Sequence, residues 1–391
     1  MSIFSKLVIA FTLLSTAPVY AGGFGAHGGE SVLCKNQSPL FYDAFEAKAL
    51  RGFDVNLGPA NLTLEEKVKF ALDRYAPRDP ERSAQYQLWA NTFLSEADIG
   101  DFDVVPIDDA KHVVLPEGCE VKQLINQRAP QIPTDKRYLI SKTIWDQMTT
   151  DQQAVAILHE IIYRDAISLG LVDSTGSRLL NSYIFSEAVA QLTDKDYWNL
   201  LKTSQFIAQK AFSEDYRPTV RFNGILVYGV ETLYDDAVLS PQFYRDGRIA
   251  HADKTQPPRV IQFVGGTLET IGEDGGEVNF SETGAMQSIS PGAGFLHLKN
   301  QVTETASGLV EFDEQGHLVR LFMDRYGGSL KIQAQDVYFE GQAYFFPSGA
   351  IKVGFITEKV TLQRVDGKFI KIKARSEVEF DERGLVVSVH H

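Results

Sequence analysis

His159 and Glu160 stand side by side in the run HEIIY, the first place where residue type and spacing suggest chemistry. Zinc hydrolases use the wording H-E-x-x-H. On a helix, residues four apart share a face, so two imidazoles grip one metal while the Glu acts as general base. Here Tyr163 holds the place of the second imidazole. A phenol ligates zinc poorly near neutral pH, because it must first lose a proton with a pKa of about 10. Glu187 lies on the next expected helix and could supply a carboxylate, with Asp165 or a distant His completing the set of three that catalytic zinc demands. A divergent zinc-dependent hydrolase would therefore use Glu160 as its catalytic group and His159 and Glu187 as metal ligands. The competing reading makes His159 a packed core histidine. Glu160, Arg164 and Glu187 would then form a polar network between helices, with no metal, no cofactor and no catalysis.

Other catalytic patterns are weaker. There is no Gly-x-Ser-x-Gly elbow, and the Gly-rich run GGFGAHGG is not followed by a helix start, so it does not read as a phosphate-cradling loop. His27 in that run could touch a metal or belong to a solvated tail. The many carboxylates of FDEQG and EVEFDERG read as charges on turns and strand faces, which gives a glycosidase pair no specific support. Aromatic side chains are more suggestive. Tyr228, Tyr234, Phe243 and Tyr244 crowd one stretch, and Tyr338, Phe339, Tyr344, Phe345 and Phe346 another. Alternation lets only part of each set face a core. Tyr244, Tyr338 and Tyr344 are the candidate contact residues for a glycan or protein partner. Burial under the helical domain explains the same aromatics without a partner.

The elements that must position these groups fall into two kinds. Thr149 with Gln152 forms a capping box, Gly170 a stop, and Val155, Leu158, Ile162 and Leu169 one apolar stripe, so His159 lies mid-helix. Phe41–Leu50 reads as a short helix, Thr63 with Glu66 caps another to Tyr75, and Pro80 starts a third. Ser177–Gln191 and Asp194–Ala211 are further helices. Strands are expected at Phe102–Pro106, His112–Leu115, after Cys119 and over Arg137–Ser141. From Pro218 onward helical periodicity gives way to a repeat, Phe-x-x-x-Gly followed by an extended run. Its copies are FYRDG, FSETG, FDEQG, FFPSG and FDERG; taking Phe346 in the fourth, the intervals are 37, 32, 34 and 34 residues. From Lys368 to Phe380 apolar and charged residues alternate, which predicts one strand with Ile370, Ile372, Val378 and Phe380 on its core face. Leu385, Val387 and Val389 are expected to return on that buried face, as are Leu330, Ile332 and Ala334 upstream. The fold class is α+β: a mainly helical N-terminal domain with a few short strands over residues 22–217, then an antiparallel repeated-hairpin β-sheet domain over 218–391.

Composition narrows the partners. Lys6, the apolar run Leu7–Leu14 and Val19-Tyr20-Ala21 predict a signal peptide over residues 1–21, hence a periplasmic or secreted protein. No other stretch has the length of a membrane span, so no membrane insertion is expected. A formal charge of −13 argues against nucleic acid, which rewards clustered Lys and Arg. Cys34 and Cys119, an even pair in an exported chain, read as a disulfide; two buried free thiols are the alternative.

Three stretches together resemble a known group: the GG-x-G-x-x-GG-x-x-V-x-C lead-in, the run LPEGCEVKQL, and the segment from Trp145 through HE-x-x-Y at Tyr163. They are similar to uncharacterised exported proteins of predatory Gram-negative bacteria, and the Phe-x-x-x-Gly units look like MORN-like β-hairpin repeats. The resemblance implies that Tyr163 belongs to the pattern, favours pairing Cys34 with Cys119, and supplies no mechanism. The expected function is an exported binding or scaffold protein of the cell envelope, using its β-repeat surface against a glycan or protein, with no catalytic activity.

Overall fold

The computed structural model describes residues 29–391 apart from 102–103, 107–110, 208–218, 223–224, 229–231, 234–236, 239–240, 253–254, 257–259, 265, 272–275, 291–292, 299–300 and 306–308. The expected signal peptide, His27, Tyr234 and the expected boundary at 217–218 lie outside the described residues. The architecture is α+β, with the helices in the N-terminal part and a large antiparallel sheet in the C-terminal part.

Eight helices are described: α1 (Tyr42–Arg51), α2 (Leu64–Tyr75), α3 (Pro80–Phe93), α4 (Lys142–Trp145), α5 (Thr150–Ser168), α6 (Thr175–Ile184), α7 (Ala188–Gln191) and α8 (Asp194–Thr203). The helix α5 is the axis of this part, contacting α1, α2, α3 and α6. Thr149 Oγ1 accepts from the Gln152 N–H, the expected N-cap. Gln152 does not return the bond; its Oε1 accepts from the Phe41 N–H at 2.7 Å and so ties α5 to α1. Val155, Leu158, Ile162 and Leu169 are buried, but so is every residue from Ala154 to Tyr163. A helix enclosed on all sides must bury its polar residues too, and His159 and Glu160 are among them. The cap of α2 is the expected reciprocal box between Thr63 and Glu66.

Four expected elements differ. The helix expected over Asp194–Ala211 ends at Thr203, with 208–211 outside the described residues, and Val104–Pro106, the described end of the strand expected over Phe102–Pro106, is not a strand. Ser177–Gln191 is not one helix: α6 and α7 are separated at Phe185–Glu187, where the Ser186 hydroxyl accepts the Ala188 N–H. His112–Leu115 is not a strand. It is a loop held by side chains, with His112 Nδ1 3.0 Å from Glu46 Oε1 and Lys111 Nζ 3.3 Å from Glu30 Oε1. The short strands form two three-stranded sheets. Glu30–Cys34 pairs with Leu40–Phe41 and with Cys119–Gln123, and Cys34 faces Cys119 in a disulfide. In the other, Tyr138–Ser141 lies between Ala97–Gly100 and Ile125–Gln127.

The C-terminal part is built on a ten-stranded antiparallel sheet made of five successive hairpins. Their strands are Gln242–Phe243 with Ile249–Ala252, Val278–Phe280 with Met286–Ile289, Val310–Phe312 with Leu318–Ile332, Gln335–Phe345 with Ile351–Ile356, and Ser376–Phe380 with Val386–His390. Each turn repeats the same geometry. In the third, the Asp313 N–H donates to His317 O and the Gly316 N–H to Asp313 O, with Gly316 at φ 81°; Gly247, Gly284, Gly349 and Gly384 occupy the same left-handed position. The Phe four residues before each Gly points inward: Phe280, Phe312, Phe345 and Phe380 are buried and Phe243 is half-buried. The anchor of the fourth copy is thus Phe345 and not Phe346, which lies half-buried beneath Lys352 Nζ.

A one-residue bulge recurs beside every Phe, at Gln242/Phe243, Asn279/Phe280, Glu311/Phe312, Tyr344/Phe345 and Glu379/Phe380. The extra residue shifts the parity of the return strand. For this reason Phe380 faces Val386, which is buried, while Val387 is exposed; of the expected Leu385, Val387, Val389 set, Leu385 is half-buried and Val389 returns against the core opposite Val378. Lys368–Phe380 is likewise not one strand. Phe369–Ile372 pairs with Val360–Gln363 in a separate hairpin, Arg375 turns the chain at φ 60°, and Ser376–Phe380 joins the main sheet. Leu330 and Ile332 are buried as expected, but Ala334 is exposed in the Gln333–Ala334 turn, both residues having positive φ. Further hairpins, Val260–Ile271, Ala293–Thr305 and Val360–Ile372, lie over the core face and contribute Ile261, Leu268, Leu298, Leu362 and Ile372 to its buried cluster.

Candidate functional site

The helix α5 brings His159 and Glu160 into a closed polar cluster. His159 Nδ1 lies 2.8 Å from Asp43 Oδ2 on α1, and its Nε2 accepts the Gly29 N–H at 3.3 Å. Both ring nitrogens are thus engaged, the neutral ring donating from Nδ1. Burial works to lower the imidazole's pKa, the Asp43 carboxylate works to raise it, and the net direction is upward. Asn181 Nδ2 on α6 donates to the same Asp43 oxygen at 2.7 Å and to Val155 O. One helical turn away, Arg178 Nε donates to Glu46 Oε2 at 3.1 Å, both side chains being buried, with the guanidinium over the Tyr42 ring.

Glu160 faces the other side of the lead-in strand. Gln127, with its amide turned to satisfy both atoms, donates to Glu160 Oε2 at 3.1 Å and to Glu160 O at 3.0 Å. A Cβ on Gly29 would stand 2.7 Å from Glu160 Oε1 and 2.4 Å from Ile125 O, so only glycine fits there. Burial pushes the Glu160 carboxyl up to about 8, keeping it largely protonated at neutral pH. The stacked ring of Tyr163 lies 6.1 Å from that of His159, centroid to centroid.

The proposed metal ligands do not converge. Glu187 Oε1 accepts from Asn56 Nδ2 at an exposed site. Asp165 accepts from Arg82 Nε and the Tyr86 hydroxyl in a separate buried cluster that also holds Asp79, Tyr75 and Tyr197. Among the described residues no group of three or more His, Cys, Asp or Glu is placed to hold a metal ion. The expected polar network is also redistributed: Arg164 pairs with Glu96, not with Glu160 or Glu187. Chemically, the cluster binds α1, α5, α6 and the lead-in strand together.

The outer face of the ten-stranded sheet is organised differently. In each hairpin the residue before the Phe and the residue four after the Gly face each other across the pair. These are Gln242 with His251, Asn279 with Ser288, Glu311 with Arg320, Tyr344 with Val353, and Glu379 with Ser388. Pairing between hairpins, His251 with Asn279, Ser288 with Glu311, Arg320 with Tyr344 and Val353 with Glu379, joins them into one row crossing all ten strands. Four pairs of neighbours are hydrogen-bonded along it: His251 Nδ1 to Asn279 Oδ1 at 2.7 Å, Asn279 Nδ2 to Ser288 Oγ at 2.9 Å, Arg320 Nε to Glu311 Oε2 at 2.7 Å, and Ser388 Oγ to Glu379 Oε2 at 3.0 Å. Over the first three hairpins the row floors a shallow trough of about 530 Å³.

The three candidate tyrosines lie at different places on this part. Tyr244 lines the trough, its hydroxyl donating to Phe280 O at 2.7 Å. Tyr344 stands in the row, exposed, with its hydroxyl on Gln342 Oε1. Tyr338 is exposed beside a second groove lined by Lys359, Lys371 and Lys373. Phe339 and Phe345 belong to the core, Phe243 is half-buried, and Tyr228 lies in the strand Ile225–Tyr228. Sequence reading missed the polar row because its positions repeat while its residue types do not. It also missed a sixth turn of the same geometry, Arg364–Lys368 with Gly367 at φ 82°, which lacks the Phe. Comparison of the chain with protein-family models, curated proteins and solved structures finds no match. Among the described residues no helix is long and apolar enough to cross a membrane.

Proposed function

We propose that the chain is an exported binding or scaffold protein of the cell envelope and that the outer face of the ten-stranded sheet is its contact surface for a glycan or protein. The single observation that carries this reading is the row from Gln242 to Ser388, which crosses every strand of the sheet and in which four pairs of neighbours are held in place by side-chain hydrogen bonds. Polar groups already held in place lose little freedom when they bind, which favours recognition over solvation alone. The resemblance to exported proteins with MORN-like repeats belongs to the same proposal. The closed cluster around His159, with both imidazole nitrogens occupied, supports a structural role there in place of hydrolysis.

Co-sedimentation of the purified protein with isolated envelope fractions tests the reading. Gln287, the exposed bulge residue of the second hairpin, lines the trough without entering the core. The wild type should sediment with one fraction, and Gln287→Arg should remain in the supernatant. Equal sedimentation of the two proteins contradicts the assignment of this face.

A further inference from the structure

We infer that the trough takes a neutral, extended, β-linked polysaccharide running across the strands, about one sugar ring per strand. This rests on the outer sheet face being the contact surface and goes further by naming the ligand class.

Three observations converge on it. The first is the chemistry of the lining. Asn279, Ser288, Gln242 and Gln287 offer amide and hydroxyl groups, and Tyr244 and Val319 offer apolar surface beside them. A pyranose presents hydroxyls at its edge and C–H groups on its faces, and it is matched by such an alternation of hydrogen-bonding and apolar groups. A peptide strand would instead add at a free sheet edge; of the strands lining the trough only Gln242–Phe243 stands at an edge, and those from Ile249–Ala252 to Val310–Phe312, which form its floor, are already paired on both sides.

Charge is the second. Glu311, the one carboxylate among the described residues that line the trough, is held by Arg320 Nε at 2.7 Å, with the adjoining Arg320 Nη2 on its other oxygen. The chain is strongly acidic overall, at a formal charge of −13, yet this face presents an internally compensated pair. A neutral ligand meets no unpaired charge here, whereas a polyanion would meet the repulsion of the whole molecule.

The third is pitch. The row advances by one strand at a time, about 4.8 Å per step. That is close to the advance of one ring in an extended β-linked hexopyranose chain, so the same contact can be repeated ring by ring. The repeated positions, before each Phe and four after each Gly, then have a reason to recur while the residue types vary from hairpin to hairpin.

Calorimetric titration of the full chain with β-1,4-linked hexamers of glucose and of N-acetylglucosamine tests this, with the corresponding dimers, an α-1,4-linked glucose hexamer and polygalacturonate as comparisons. One of the two β-linked hexamers should bind, more tightly than its dimer, and the α-linked hexamer and polygalacturonate should not. Asn279→Ala should weaken the hexamer about three- to tenfold, the loss of roughly one hydrogen bond. Gln287→Arg, which leaves the core untouched, should abolish binding in a protein with an unchanged melting transition. Absence of hexamer binding, equal affinity for dimer and hexamer, or indifference to both substitutions overturns the inference. If the hexamers fail while envelope co-sedimentation is still lost in Gln287→Arg, the ligand class is wrong and the contact surface stands. If co-sedimentation is also indifferent to Gln287→Arg, both fall.

Discussion

At His159 the residues of a zinc-hydrolase motif make contacts that tie elements of the fold together. Its two ring nitrogens are spent on Asp43 and on the Gly29 N–H, which fixes the lead-in strand against α5. Removing one partner of such a buried pair leaves the other uncompensated, so His159→Ala should destabilise the fold by about 3–5 kcal/mol. Chemical denaturation checks this; a fold of unchanged stability that loses stoichiometric zinc would contradict it. Glu160 carries a pH signature. Its carboxyl is raised by burial from its ordinary value of 4.5 to about 8, so between those limits the folded state holds a proton that the unfolded state releases. The associated stability is complete below pH 4.5 and is lost as the pH rises through 8. Each unit is about 1.4 kcal/mol, so the term amounts to several kcal/mol across the window. Glu160→Gln cannot lose that proton. The melting temperature of the variant minus that of the wild type should therefore rise steadily from pH 5 to pH 8, and a flat difference would show that the carboxyl titrates normally.

Within the hairpins, one position separates an anchor from a bystander. Phe345 is buried and Phe346 is half-buried, so Phe345→Ala should cost about 3–5 kcal/mol and Phe346→Ala clearly less. The reverse order in urea denaturation would restore Phe346 as the repeat's anchor. The turn glycines differ too. A Cβ at Gly316 would meet only Val264 Cγ2 at 3.8 Å, whereas one at Gly247 would stand 2.5 Å from Thr193 Oγ1 at the N-cap of α8. Gly316→Ala should cost about 1 kcal/mol from the left-handed backbone alone. Gly247→Ala should cost more, because it also disturbs the bond from the Lys195 N–H to Gly247 O that joins α8 to the first hairpin. Equal melting shifts for the two would mean that this junction is slack. The sequence made the hairpins visible through Phe and Gly, whose roles demand one residue type. The bulges were hidden, because an inserted residue leaves alternation intact on each side of it. The break at Arg375 was hidden for a related reason: Ile372 and Ser376 are both buried, so the parity passes through the turn unchanged.

For the whole molecule, the α+β division and the Cys34–Cys119 bridge were both legible, the first from a change of period and the second from an even pair in a chain expected to be exported. The bridge closes a loop of 85 residues. In the chain-entropy model such a loop stabilises by roughly 4 kcal/mol, so reduction should lower the melting temperature markedly, and titration of the unreduced, unfolded chain should find no free thiol. The polar row was not legible, because five hairpins place Gln, Asn, Glu, Tyr and Glu at one repeated position, and only the register brings them into line. That row carries the functional account, and hydroxyl-radical footprinting of side chains with and without bound envelope material tests it most directly. Protection should fall on His251, Val319 and Tyr344 and leave Phe70 and Leu88 on the helical part unchanged. Protection of Phe70 and Leu88, with the row as reactive as in the free protein, would place the partner on the other half of the molecule and contradict the account.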